Sequence, residues 1–107
     1  MRAVELSRAA PRPGDPRRLA RLTRHLAARL RDFAPGGPQV CSVDEEGGLV
    51  RASLPGLTPR AAADTLAQRF GILVRPEEDC VAFQLSPELP FEDLDYVWGC
   101  LFQLLEE

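Results

Sequence analysis

Residues 70–105 read FGILVRPEEDCVAFQLSPELPFEDLDYVWGCLFQLL. Two short β-favouring runs, ILVR (72–75) and VAFQL (81–85), flank the acidic connection PEEDC (76–80), the pattern of paired strands joined by a turn. The period then changes. Leu94, Val97, Trp98, Leu101 and Leu105 recur at three- and four-residue spacing, which predicts a helix. Glu92 and Asp93 favour its start by facing the positive end of the helix dipole.

Working back toward the N-terminus, PGLTPRAAADTLAQRFG (55–71) predicts another helix. Thr58 caps it, Pro59 takes the first turn and Gly71 follows the last residue, with Ala62, Leu66 and Phe70 as its buried line. QVCSV (39–43) and LVRASL (49–54) read as a second strand pair around the turn DEEGG (44–48). Asp15 followed by Pro16 opens the first helix, a side-chain cap before a residue that lacks an amide hydrogen. Leu19, Leu22, Leu26, Leu30 and Phe33 form its stripe, and APGGP (34–38) stops it. The expected order is α-β-β-α-β-β-α, an α+β fold with an antiparallel sheet and helices mainly on one face. Residues 15–107 are expected as one domain, and residues 1–14, with Pro11, Pro13 and Gly14, as a flexible or extended lead-in. Apolar residues on both faces of ILV and VAF suggest that something covers the second side of the sheet.

A chain of 107 residues, 45% hydrophobic and 27% charged, is sized for one compact core. No apolar run approaches the roughly 20 residues of a membrane span, and the N-terminus has no hydrophobic signal region, so a cytoplasmic location is expected. Residues 1–33 carry nine arginines against three acids, and residues 34–107 carry four against thirteen. The basic first helix lacks the interleaved aromatics of a nucleic-acid surface and reads as a solvated face. His25, among Arg21, Arg24 and Arg29, reads as a solvent-facing helix residue. Cys41, Cys80 and Cys100 are widely spaced, with a single histidine in the chain. That pattern argues against a clustered zinc site and a disulfide framework, and Cys41 and Cys100 are expected as buried free thiols. All thirteen basic residues are arginine, so no lysine can form a Schiff base with an aldehyde cofactor.

The elements from residue 49 to 105 resemble the small C-terminal domain of class V aminotransferase-like enzymes that use pyridoxal phosphate, notably cysteine desulfurases and selenocysteine lyases. GLTPRAAADTLAQRFGILVR, VAFQLS and FEDLDYVWGCLFQLL carry the resemblance. Gly71, Ile72, Val74 and Arg75 match the family's strand signature, and Asp93, Leu94 and Asp95 match its last-helix signature. The resemblance implies a cofactor held by a preceding large domain that supplies the lysine, and neither is in this sequence. It also implies an arginine early in the strand VAFQLS to pair with a substrate carboxylate, where a planar guanidinium suits bidentate binding. Ala82 stands there instead. The desulfurase loop R-x-G-x-H-C keeps its spacing from Arg75 to Cys80, but Glu77 replaces the glycine and Asp79 the histidine. Glu77, Glu78 and Asp79 are expected to raise the Cys80 thiol pKa, against the needs of a sulfur nucleophile.

These observations favour a stand-alone, non-catalytic relative of the small domain, with no cofactor or metal, working through protein association. One alternative is a subunit of a split pyridoxal-phosphate-dependent desulfurase or aminotransferase, with Cys80 handling sulfur. The other is a small regulatory domain that binds a metabolite. Trp98, Phe102 and Leu105, at i, i+4 and i+7, mark the expected interface. Its partner is expected to be a second copy or a separate protein, in a complex that buries Phe102 and at least one sheet face.

Overall fold

The computed structural model describes residues 3–33 and 36–106. Helix α1 (Pro16–Arg31) starts where Asp15 and Pro16 place it: Asp15 stays extended, and its carboxylate accepts from the Arg17 N–H at 2.9 Å. Leu19, Leu22, Leu26 and Leu30 are buried. Thr23, also buried, is satisfied by donating its hydroxyl to the Leu19 carbonyl at 2.7 Å. The helix stops at Arg31. Phe33, expected within its stripe, lies beyond it yet packs its ring 5.7 Å from Trp98 and 6.1 Å from Phe102.

Strands β2 (Gln39–Asp44) and β3 (Leu49–Ser53) form the expected hairpin. In its turn Gly47 donates its N–H to Asp44 Oδ1 at 3.1 Å. Gly48 adopts φ +69 with Leu19 Cδ1 only 2.6 Å from where a Cβ would stand; a left-handed backbone and a close approach both exclude a side chain. A bulge between Val40 and Ser42 takes Cys41 out of register. Cys41 is therefore exposed on an edge strand, not the buried thiol expected, whereas Cys100 is buried.

Helix α2 (Pro59–Thr65) is capped by Thr58, whose hydroxyl accepts from the Ala61 N–H at 3.1 Å. The segment expected to complete it, Leu66–Phe70, is instead a π-helical turn closed by Gly71 at φ +70. Such turns widen the helix locally; here Leu66 and Phe70 both remain buried.

The expected second strand pair divides. Strand β5 (Arg75–Pro76) pairs antiparallel with β6 (Val81–Gln84), but β4 (Ile72–Leu73) pairs in parallel with β1 (Val4–Glu5). The lead-in thus joins the core: Val4 is 1% exposed and Leu6 0%. Val4 donates its N–H to the Gly71 carbonyl and Leu6 to that of Leu73, while the Gln84 N–H donates to the Leu6 carbonyl. Residues 4–6 bridge β4 and the end of β6, satisfying backbone groups that would otherwise be left at a buried edge. Residues 1 and 2 lie outside the described residues.

The main sheet has order β2-β3-β6-β5 and is antiparallel throughout. Its register puts Val40, Val43, Val50, Ala52, Val81 and Phe83 on the helix-covered face. Helix α3 (Phe91–Glu106) buries Leu94, Val97, Cys100 and Leu101 and lies along α1. Tyr96 ties it to the π-helical turn by donating its hydroxyl to the Phe70 carbonyl at 2.8 Å. The architecture is α+β with the expected element order, extended by an N-terminal strand. Among the described residues no helix is long and apolar enough to cross a membrane.

Candidate functional site

Two surfaces gather the residues that the sequence singles out. The first is the sheet face opposite the helices. Alternation along β3 turns Arg51 to this face, and cross-strand pairing sets both Arg51 and Arg75 beside Ala82. Ala82 is fully buried although it lies on the open face. The chain's own arginines, flanking it from both neighbouring strands, are thus the cover on the second side of VAF.

Glu77 holds the two arginines together. Arg51 Nε donates to Glu77 Oε1 at 2.7 Å, and Arg75 lies 3.6 Å from the other carboxylate oxygen. Arg75 also donates to the Arg8 carbonyl. The hydrogen bond from Arg51 holds the Glu77 carboxyl below its usual range and raises the Arg51 guanidinium in turn. Both guanidinia on the face are engaged.

Cys80 closes the hairpin turn, its carbonyl accepting from the Glu77 N–H at 2.8 Å, with its thiol 3.7 Å from Glu77 Oε1. The thiol is pushed above its ordinary value by burial first and by Glu77 second. Of the three acids expected to act on it, Glu78 and Asp79 are exposed, and Glu77 is the one in contact. Such a thiol resists becoming the thiolate that attacks sulfur or binds metal. Burial also raises the Cys100 thiol. The folded protein is therefore expected to give up one fast equivalent to a thiol reagent, at Cys41. Cys80 and Cys100 should react about a hundredfold more slowly until urea unfolds the chain. A folded-state thiol pKa above the unfolded one contributes stability fully at low pH and loses it as pH rises through the folded value. Urea melts should accordingly weaken from about pH 8.5 upward.

The second surface lies on the helix layer. Trp98 and Phe102 stack with centroids 5.4 Å apart. The Arg29 guanidinium sits 4.1 Å above the Trp98 ring. Phe102 is 39% exposed, whereas Leu105, expected on the same line, is half-buried in a separate shallow groove with Leu104 and the turn at Pro55, Gly56 and Leu57. His25 keeps a third of its side chain exposed, but it is not without partners: its Nε2 lies 2.9 Å from Asp95 Oδ1, with its ring edge-on to Phe91. Arg29 Nε approaches the same oxygen at 3.3 Å without hydrogen-bond alignment, and neither it nor Trp98 Nε1 has a hydrogen-bonded acceptor although both atoms are buried. Asp95, which the resemblance placed in a helix-opening signature, is here the joint between α3 and α1.

Arg51, the role of Asp95 as a joint between two helices and the open space at Gly99 are what the sequence reading passed over. Alternation in LVRAS (49–53) could have found Arg51, and an isolated glycine inside a helical run is a recognised mark. The Asp95–His25 contact spans 70 residues and has no local signature. Among the described residues no group of three or more His, Cys, Asp and Glu side chains could hold a metal ion. No protein-family model matches the chain, and no curated protein matches it.

Proposed function

We propose that this chain is a non-catalytic relative of the class V aminotransferase small domain that acts through protein association in a cytoplasmic setting. Its partner is a second copy or a separate protein, with no cofactor, nucleic acid or membrane involved. The observation that carries the reading is the state of the open sheet face. Where the resemblance implies a free guanidinium for a substrate carboxylate, Ala82 is sealed between Arg51 and Arg75, and Glu77 engages both arginines. A methyl group cannot replace a bidentate donor.

The residues present do not fit pyridoxal phosphate. The 107 residues contain no lysine for a Schiff base, and the thiol at the desulfurase-like spacing is held protonated by burial and Glu77. The chain titrated with pyridoxal phosphate is expected to acquire no protein-linked absorbance that borohydride fixes to a lysine. It is also expected to release no sulfide from cysteine. Stoichiometric turnover of cysteine, by the pure chain or after mixing with a cofactor-bearing partner that is inactive alone, would overturn the proposal in favour of a split desulfurase.

A further inference from the structure

Helix α1 carries six arginines and no acid between Pro16 and Arg31. Three of the arginines serve the fold. Arg18 donates to the Pro87 and Leu89 carbonyls, Arg24 meets Glu45 at 2.9 Å, and Arg29 lies over Trp98. The side chains of Arg17, Arg21 and Arg31 have no hydrogen bond or ion pair among the described residues, and all three are exposed. At about 100° per residue, they fall with Arg24 and Ala28 in one arc of about 80°, opposite the buried leucines. The stripe runs about 21 Å along the helix. Like charges at three- and four-residue spacing repel one another, yet a chain with sixteen acids and a net charge of −3 leaves these arginines unanswered. Beside the stripe, Ala27, Ala28 and Val43 line a hollow between α1 and β2, with Arg24, Arg31 and Glu45 around it.

Resting on the association reading above, we propose that α1 docks an acidic amphipathic helix of a separate protein. Its carboxylates meet Arg17, Arg21 and Arg31, and an aliphatic side chain between them sits in the hollow. Charge complementarity carries the assignment: guanidinium forks take carboxylates in bidentate pairs, and arginine concentrates interface energy. Glu45, reaching Arg24 from the β2–β3 turn, is an example of that pairing within the protein. The pattern along the stripe selects the partner. Between Arg21 and Arg31, Arg24 is already answered by Glu45, and Ala28 offers only a methyl group at the hollow. An amphipathic helix matches this with carboxylates toward its two ends and an apolar residue between them, since both helices rise equally per residue. A phosphate backbone carries charge at every step, so it would meet Glu45 and leave the hollow unfilled. A second copy lacks the complement. Helix α2 has one acid, Asp64, and apart from Glu106 the acids of α3 lie near its start, where Asp95 is held by His25 and Arg29.

Fluorescence anisotropy tests the contact with a labelled helical peptide of about 18 residues, bearing glutamates on one face of its end turns and a leucine between them. At about 50 mM salt, where exposed charges are weakly screened, the expected dissociation constant is below about 100 µM. It should weaken at least about tenfold for the same peptide with glutamine in place of glutamate. The chain carrying Arg17→Gln, Arg21→Gln and Arg31→Gln together should show the same loss. Glutamine matches arginine in helix propensity, so the thermal midpoint should hold within about 2 °C and lost binding cannot be blamed on misfolding. Ala28→Leu fills the hollow and should weaken binding about threefold or more. Arg60→Gln, at an exposed position on α2, removes one charge away from the stripe and should change it less than about twofold. Absent binding, equal binding of the glutamine peptide, or an unmoved constant in the triple variant or in Ala28→Leu overturns the proposal. So does a single-stranded RNA of equal charge that binds more tightly than the peptide. Failure here leaves self-association to be read by sedimentation and the non-catalytic reading by the aldimine and turnover assays. Turnover of cysteine overturns that reading whether or not the peptide binds.

Discussion

A chain lacking residues 1–8 is expected to lose cooperative folding. Val4 and Leu6 are 1% and 0% exposed, and full burial of each such side chain contributes about 1.5–3 kcal/mol. Three backbone hydrogen bonds go with them: Val4 to Gly71, Leu6 to Leu73, and Gln84 to Leu6. A buried backbone group left without a partner costs about 1–3 kcal/mol. The loss is therefore about 6–15 kcal/mol, comparable with the about 5–15 kcal/mol that holds a whole domain. Circular dichroism and urea melts read the outcome directly. Leu6→Ala is the graded version, expected to cost about 2–5 kcal/mol. A truncated chain that melts cooperatively within about 5 °C of the full one, less than the shift from 1–2 kcal/mol, would mean that β1 is dispensable.

Gln84→Leu is expected to lower the melting midpoint by about 10–15 °C, the equivalent of about 2–3 kcal/mol in a domain of this size. Gln84 is 3% exposed, and its Nε2 donates to the Gly47 carbonyl at 2.7 Å and the Leu85 carbonyl at 2.9 Å, with Gly48 at 3.3 Å. Its carboxamide ties the β2–β3 turn to β6 from inside the protein. Leucine is close in size but donates nothing, so the carbonyls around it stay buried with a donor removed. Gln103→Leu, on the exposed side of α3, is the control and should move the midpoint by no more than about 2 °C. Equal effects of the two substitutions would show that the buried amide does not lock the turn.

What local chemistry governs was legible. Asp15–Pro16 and Thr58–Pro59 start their helices because a capping oxygen and a preset φ act within a few residues. The leucines of α1 all face inward because a period near 3.6 has one geometric solution. Asp44–Gly48 turns back because that stretch of chain supplies both a side-chain acceptor and a left-handed glycine. Of the candidate site, the Trp98–Phe102 line was legible for the same reason, and the departure at Ala82 could be read without coordinates.

The rest depended on partners distant in sequence. Residues 4–6 have a weak alternating pattern, and they become a strand only because β4 and the end of β6, some 68 to 78 residues later, leave backbone groups that need hydrogen bonds. ILVR is locally one strand, but competition for those bonds divides it between β1 and β6. Asp95 faces His25 and Arg29 only once α3 lies along α1. Whether Ala82 is open or sealed, and whether Gly99 fills space or leaves it, followed from which side chains the sheet register and helix packing brought beside them. Caps, periods and turns are decided by neighbours along the chain, and the sequence alone determined those. Strand partners, the cover on a sheet face and the joint between two helices are decided by neighbours in space, and only the tertiary structure settled them.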